Sequence, residues 1–459
     1  MQKERKERQS RRPASPPATP SRHVADGPSP AGLGAARNRP KSGAPSRPSP
    51  ADTAFNPSIP HEFAAAVTIL GMNTGRPVFS QLMDWIHPQQ FQRFVDRHRG
   101  DYKVQRFSCW DQFLCMAFAQ LTFRESLRDI ESCLRARPAM LYHMGIRGPV
   151  ARSTLAEANE VRPWQMYADL AHSLIHRARQ LYKGEELEVE LGNTVYALDS
   201  TTVEVCLGLF PWAKHRSFSA GVKMHTLLDL RGAIPASIVI TPSRIHDVNL
   251  LDTFPHEPGS IYVMDRGYLD FGRLYRLHLD GCFYVIRPRD NLKFVRYRSE
   301  THPDERVRSD QVGRLRGFYS RQSYPELIRK VHFLDPVSEL DLSFLTNLFE
   351  ANALSVARLY KYRWHVELFF KWIKQNLRVK TFYGTSMNAV QTQLWIAICV
   401  YVLVAIVKKE LHLPQSLHSI LQVISVHPFE KVPVGELLTE AAHRTPDTLC
   451  HNQLTFNLL

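Results

Sequence analysis

The chain has 459 residues, 44% of them hydrophobic and 22% charged. That is length for about two to four domains, and a composition that excludes a wholly disordered protein. With 58 Lys and Arg against 44 Asp and Glu, the formal charge is +14. Such a balance favours a polyanionic partner, most often nucleic acid, without selecting one.

The seven cysteines, Cys109, Cys115, Cys133, Cys206, Cys282, Cys399 and Cys450, include no CxxC pair. They read as cytoplasmic thiols rather than a zinc ribbon or a disulfide frame. No apolar stretch follows the basic start at 3–12, so no secretion signal is expected. The longest apolar run, 394–407, has 14 residues. A membrane span needs about 18, so the run reads as a buried helix and no membrane partner is expected.

Residues 1–71 are rich in Pro, Arg and Ser, and twelve of the 30 prolines fall before position 61. Such a segment buries too little apolar surface to order itself and is expected to be disordered. It reads as a basic arm for DNA or, with more weight, as an extension ahead of a start at Met72. Residues 72–185 are expected to be helical, with helices over 82–95, 110–137 and 164–181. Thr154 to Glu157 spells a capping box, and Pro163 closes the helix it opens. With the turn at 145–150 this is compatible with a helix-turn-helix. From these residues alone, an ordinary helical hairpin is the better reading.

From Asn193 the pattern turns to strands: 194–205, then 222–230 and 233–240 flanking a turn at 229–232. A helix over 245–254, a strand at 260–264, a helix at 271–279 and a strand at 282–287 follow. Polar, Arg-rich β segments such as 330–334 come next, and helices are expected from 353 to 411. The fold class is therefore α/β, a mixed sheet covered by helices.

Three acids have the setting for chemistry. Asp199 lies in a core-like strand with apolar Val195 and Leu198 around it, where an unpaired carboxylate is costly and a metal ion would offset the cost. Asp265 ends a second strand, followed by Arg266 and Gly267. Each of these alone is better read as a local hydrogen-bonding or capping Asp. Glu367 falls on a helix, where Tyr360, Arg363 and Lys374 share its face within about 60°. Arg363 and Lys371 are placed to pair with it, the bland reading of that face. Three carboxylates from two strands and a helix suit divalent cations that clamp an in-line phosphoryl displacement.

Three segments together carry a family likeness: Ala-Leu-Asp199-Ser-Thr, Met-Asp265-Arg-Gly-Tyr268, and the run from Tyr360 to Lys374. The last matches Y-(2)-R-(3)-E-(6)-K at every defined position, and the acids lie 66 and then 102 residues apart. The sequence resembles bacterial DDE transposases of the insertion-sequence-4 family, from about Met72 to Val407. The likeness implies an RNase H-like core over 186–411 with a β-rich insertion at 293–343, a helical N-terminal DNA-binding domain at 72–185, and a C-terminal tail from 412. It implies that Asp199, Asp265 and Glu367 hold two Mg²⁺ or Mn²⁺ ions, and that Arg266, Tyr360, Arg363 and Lys374 contact DNA. The implied partners are terminal inverted repeats, target DNA and a second copy of the chain. One departure stands out: no Trp occurs between Trp212 and Trp364, where some relatives use one to hold a flipped base. Phe318, Tyr319 and Tyr324 are candidates to stack on a base in its place.

Overall fold

The computed structural model describes residues 75–444, apart from 186, 188, 190, 217–218 and 377–381. The expected disordered extension, 1–71, lies outside the described residues. Seven helices open the described chain: α1 (Val78–Met83), α2 (Pro88–Arg97), α3 (Cys109–Leu121), α4 (Leu127–Arg135), α5 (Pro138–His143), α6 (Arg152–Val161) and α7 (Gln165–Tyr182).

Their boundaries correct the sequence reading in three places. Pro88 takes the first turn of α2 and so splits the helix expected over 82–95. The helix expected over 110–137 breaks between Leu121 and Leu127, where Phe123 adopts φ 56°. Ser126 then caps α4 by accepting from the Asp129 amide at 3.1 Å. The expected Thr154 capping box does not form: α6 begins at Arg152, so Thr154 already lies in its first turn, and the cap residue is Ala151. α6 packs on α3 and α4, as one member of a helical bundle.

The sheet follows. Its strands are β1 (Val195–Val205), β2 (Lys214–Arg216), β3 (Ser219–Asp229), β4 (Ile234–Pro242), β5 (Ile261–Met264), β6 (Phe283–Ile286), β7 (Phe294–Glu300), β8 (Val307–Leu315), β9 (Ile328–Leu334) and β10 (Asp341–Thr346). The spatial order is β4-β3-β1-β5-β6-β10-β9-β8-β7, with β2 on the starting end of β3. β1, β5 and β6 run parallel and every other pairing is antiparallel. An antiparallel trio continued by two parallel strands is the RNase H-like arrangement expected. The β-rich segment after residue 293 does not stand apart: β10 pairs with β6 and carries the same sheet onward.

At Gly232, in the turn between β3 and β4, φ is +71° and the Tyr182 ring occupies the space of a Cβ. Tyr182 in turn donates to the Ala405 carbonyl at 2.9 Å, tying α7 to the long helix described next. The segment expected as helical over 245–254 is a 3-10 turn, Asp247–Asp252. α8 (Phe271–Leu279) crosses from β5 to β6, and α9 (Phe318–Ser323) lies between β8 and β9.

The chain then forms α10 (Ala353–Tyr362), α11 (Trp364–Asn376), α12 (Met387–Glu410), α13 (Leu417–Val426) and α14 (Val434–Arg444). The apolar run at 394–407 sits in α12, whose residues from Ala389 to Val407 are all buried inside the protein. By length and composition α12 is long and apolar enough to cross a membrane, being longer than the apolar run within it. It packs instead against α7 on one side and, through Tyr401 on Phe369 and Trp372 (4.9 and 4.7 Å between rings), against α11 on another. The segment expected as a tail carries α13 and α14 and returns to α1, where the Val78 amide donates to the Glu430 carbonyl at 2.8 Å.

The sheet separates two cores. Val195, Ala197 and Val203 of β1 face the core shared with α11 and α12, whereas Tyr196 and Leu198 face the one built with Leu250, Met264 and Tyr268. This alternation decides which side of β1 each polar residue meets.

Candidate active site

β1 and β5 are parallel and in register through Leu198 and Met264. The next residue on each is an acid, so Asp199, midway along β1, and Asp265, just past the end of β5, stand side by side. Carboxyl ends of parallel strands are where such sheets gather ligands. Asp265 precedes the 3-10 turn Arg266–Tyr268 without a side-chain cap, and Asp270, not Asp265, caps α8. The sequence alternative of a capping role therefore falls to Asp270.

α10 and α11 bring the remaining groups across. Burying Val366, Phe369, Phe370 and Ile373 fixes the rotation of α11. Arg363 occupies the junction of the two helices in right-handed conformation, and Glu367 lies one turn further on. Tyr360 is buried against Phe344, ring centroids 4.8 Å apart, and its hydroxyl donates to Asp265 Oδ1 at 3.2 Å. Burial above all, with the Asp265 charge adding, pushes the Tyr360 hydroxyl up to about 12, so it stays protonated as a donor. Lys374 donates to the Thr202 carbonyl of β1 at 2.8 Å, fixing the far end of α11 on the strand that carries Asp199.

Arg363 stands between two of the acids. Its Nη1 lies 3.1 Å from Asp199 Oδ2 and 2.8 Å from Glu367 Oε1. The guanidinium rides over the Tyr360 ring at 5.5 Å, and its Nε is buried with no hydrogen-bond partner. Asp199 accepts the Ser200 amide at 2.8 Å. Its carboxyl is nevertheless pushed up to about 6, first by burial, then by the charges of Glu367 and Asp265, against the pull of that amide and of Arg363.

The structure thus brings Asp199, Asp265, Glu367, Tyr360 and Arg363 together. Lys374 reaches the same strand three residues on. Arg266 points elsewhere, half-exposed and 3.4 Å from the exposed Asp290. Among the described residues no trio of acidic, His or Cys side chains is drawn into a ready metal cage. The donors are nevertheless hard oxygens, with two of them already sharing one cationic nitrogen, so the set suits a hard divalent cation in chemistry.

One group was not singled out from sequence. Asp247, at the head of the 3-10 turn, accepts from Ser200 Oγ at 2.6 Å and pairs with Lys223 at 3.0 Å. His225 Nδ1 stands 3.4 Å from the same oxygen, and burial pushes this imidazole down to about 4, so it is neutral. Ser200 therefore links the backbone beside Asp199 to a polar cluster on the opposite face of β1. The run Ser243-Arg-Ile-His-Asp247 was readable as a polar segment after a strand, but nothing local marks its partner across the sheet.

Residues 190–403 match the family described as transposase DDE domain, and residues 74–147 match a domain of unknown function. The chain is 34% identical over 206 residues to a probable transposase for insertion sequence element IS5377 from Geobacillus stearothermophilus, covering 45% of this chain and 54% of that protein. It thus spans about half the length of that relative. It is 33% identical over 262 residues to the putative transposase y4zB of Sinorhizobium fredii, covering 55% of this chain and 70% of that protein. A putative transposase for insertion sequence element IS4SA from Synechocystis is 25% identical over 272 residues, 58% of this chain and 74% of its own length. A solved piggyBac transposase synaptic complex with hairpin DNA aligns over 86% of this chain and 82% of its own at 10% identity and TM-score 0.37, too distant to carry an argument. With the three acids inside the matched domain and the relatives in agreement, the chain belongs to the DDE-domain transposases of insertion sequences.

Proposed function

We propose that this transposase binds the terminal inverted repeats of its element, hydrolyses a phosphodiester at each end, and joins the freed 3′-hydroxyls to target DNA in a cut-and-paste reaction. The observation that carries the reading is the convergence of Asp199 from β1 and Glu367 from α11 on the Arg363 guanidinium, with Asp265, after β5, beside Asp199 and held by Tyr360. Asp199, Asp265 and Glu367 would together hold the two Mg²⁺ or Mn²⁺ ions, all three offering hard carboxylate oxygens. Bound divalent cations supply Lewis-acid stabilisation and an activated oxygen nucleophile for in-line displacement.

The chain's own residues do the rest. Tyr360 holds Asp265 in place through its hydroxyl. Lys374 fixes α11 to β1, which keeps Glu367 in line with Asp199. Arg363, and the half-exposed Arg266 that follows Asp265 in the chain, would supply positive charge for backbone phosphates. The helices α1 to α7 would read the repeats, and two chains would pair two ends in a synaptic dimer at the nucleoid in the cytoplasm. The formal charge of +14 supports a DNA partner.

The test is a reaction of purified protein with labelled DNA carrying the ends that flank its gene. Nicking at those ends that needs Mg²⁺, is blocked by EDTA and yields joined target plasmid is expected. Specific binding with no cleavage under any metal condition would refute the catalytic reading.

A further inference from the structure

We infer that Arg363 is the built-in counter-ion of the DNA-free site: it competes with a divalent cation for Asp199 and Glu367 until a DNA phosphate draws it away. This rests on the metal-dependent reading above and adds an order of events to it.

A single nitrogen, Arg363 Nη1, touches both carboxylates, at 3.1 and 2.8 Å. Oxygens shared this way by one cationic atom are the pair a cation bridging Asp199 and Glu367 would take. Two positive species cannot occupy that gap together, and with Arg363 only 12% exposed there is little water to screen them. The acids alone tend to repel one another, so some cation has to sit between them when they are ionised. Arg363 performs that service before any ion arrives.

The guanidinium is not fully satisfied where it rests. Its Nε is buried with no hydrogen-bond partner, an arrangement that costs free energy. Phosphate is the group whose geometry best matches the guanidinium fork, and it can take two parallel donors at once. The Tyr360 ring, 5.5 Å from the guanidinium carbon, offers a surface over which Arg363 can turn toward such a phosphate. Arrival of DNA then opens the bridging position, and an ion already there favours the outward Arg363 that grips DNA. Linkage makes this reciprocal: metal and DNA each strengthen the other's binding. A site that binds its ions well only on DNA is quiet elsewhere.

The experiment measures Mn²⁺ binding by calorimetry and electron paramagnetic resonance, with no turnover involved. Full-length wild type, Arg363→Gln, Glu367→Gln and the double variant Arg363→Gln/Glu367→Gln are compared without DNA, and wild type again with a duplex carrying the flanking ends. Arg363→Gln is expected to bind Mn²⁺ about tenfold more tightly than DNA-free wild type, and DNA is expected to tighten wild type to a similar degree. The gain should vanish in Arg363→Gln/Glu367→Gln. A merely structural role for Arg363 would loosen the site, not tighten it. Equal or weaker Mn²⁺ binding by Arg363→Gln, at a site that still depends on Glu367, overturns the inference and leaves the functional reading standing. No Glu367-dependent Mn²⁺ site in any arm, with or without DNA, overturns both. If Arg363→Gln does not fold, Arg363→Lys, with a shorter reach and no fork, carries the same comparison and should also bind Mn²⁺ more tightly than wild type.

Discussion

Leu198 and Met264 stand opposite one another on parallel strands, and this single register places Asp199 beside Asp265. A shift by one residue would send one of the two acids to the other face of the sheet. The pairing is held by burial on both faces, since Leu198, Val263 and Met264 are fully enclosed. The placement of the two acids is thus a consequence of apolar packing on both faces of the sheet.

The raised carboxyl of Asp199 gives a stability signature. Its folded value of about 6 lies above the ordinary 3.8, so between those values the folded chain binds more protons than the unfolded one. Stability contributed by this group is therefore present at low pH and falls as pH rises through that window. Asp199→Asn should lack this fall. Melting temperatures of the two proteins, measured from pH 4 to 7, should diverge in favour of the variant as pH rises; parallel curves would count against a buried Asp199 with a raised carboxyl.

Tyr360→Phe removes the hydroxyl that donates to Asp265 and keeps the ring against Phe344. One neutral-to-charged hydrogen bond of this kind, about 1.5–3 kcal/mol, corresponds to a roughly ten- to hundredfold slower nicking of DNA ends. Melting temperature should move little. Wild-type rates in the variant would remove Tyr360 from the set of positioning residues.

Asp310 and Arg329 form a buried bidentate pair, both side chains 5% exposed, with nitrogen–oxygen distances of 2.9 and 2.5 Å. Arg329 also donates to the carbonyls of Leu348 and Ala351, in the loop that leads into α10 and so toward Tyr360. Asp310→Ala leaves an uncompensated buried guanidinium, a loss of about 3–5 kcal/mol. Urea denaturation reads that loss directly. A change below about 1 kcal/mol would mean that the loop carbonyls alone satisfy Arg329.

Asp247→Asn tests the cluster behind β1. It removes the charge that pairs with Lys223 while leaving an acceptor for Ser200. Because Asp247 is one-third exposed, the expected loss is only about 1 kcal/mol. Slower nicking with DNA affinity unchanged is the expected pattern, since the effect reaches Asp199 through Ser200. Weakened DNA binding with normal chemistry would instead assign Lys223 and Asp247 to the DNA surface.

Much of this was legible in the sequence, for identifiable reasons. β1, β3 and β4 announce themselves by β-branched residues and by the turn ending in Gly232, and the three acids by their fixed companions in short motifs. The ion pair between Arg363 and Glu367 follows from their spacing of one helical turn. What was hidden depends on contacts far apart in the chain. Nothing local says that β10 returns to pair with β6, or that the segment after 411 folds back onto α1. The bridge from Arg363 to Asp199 joins residues 164 positions apart. The break at Phe123 escaped because a bulky residue at positive φ is held by its surroundings and leaves no sequence mark. Pro88 is different: the rule that a proline starts rather than interrupts a helix was sufficient to place that boundary.

The most direct test of the central claim compares wild type with Glu367→Gln on labelled DNA carrying the flanking ends, in Mg²⁺ and in EDTA, with a target plasmid present. Metal-dependent nicking at the ends followed by joining to the plasmid, lost in Glu367→Gln while end binding persists, is the predicted result. Cleavage that survives Glu367→Gln, or binding with no cleavage by wild type in Mg²⁺ or Mn²⁺, would contradict it.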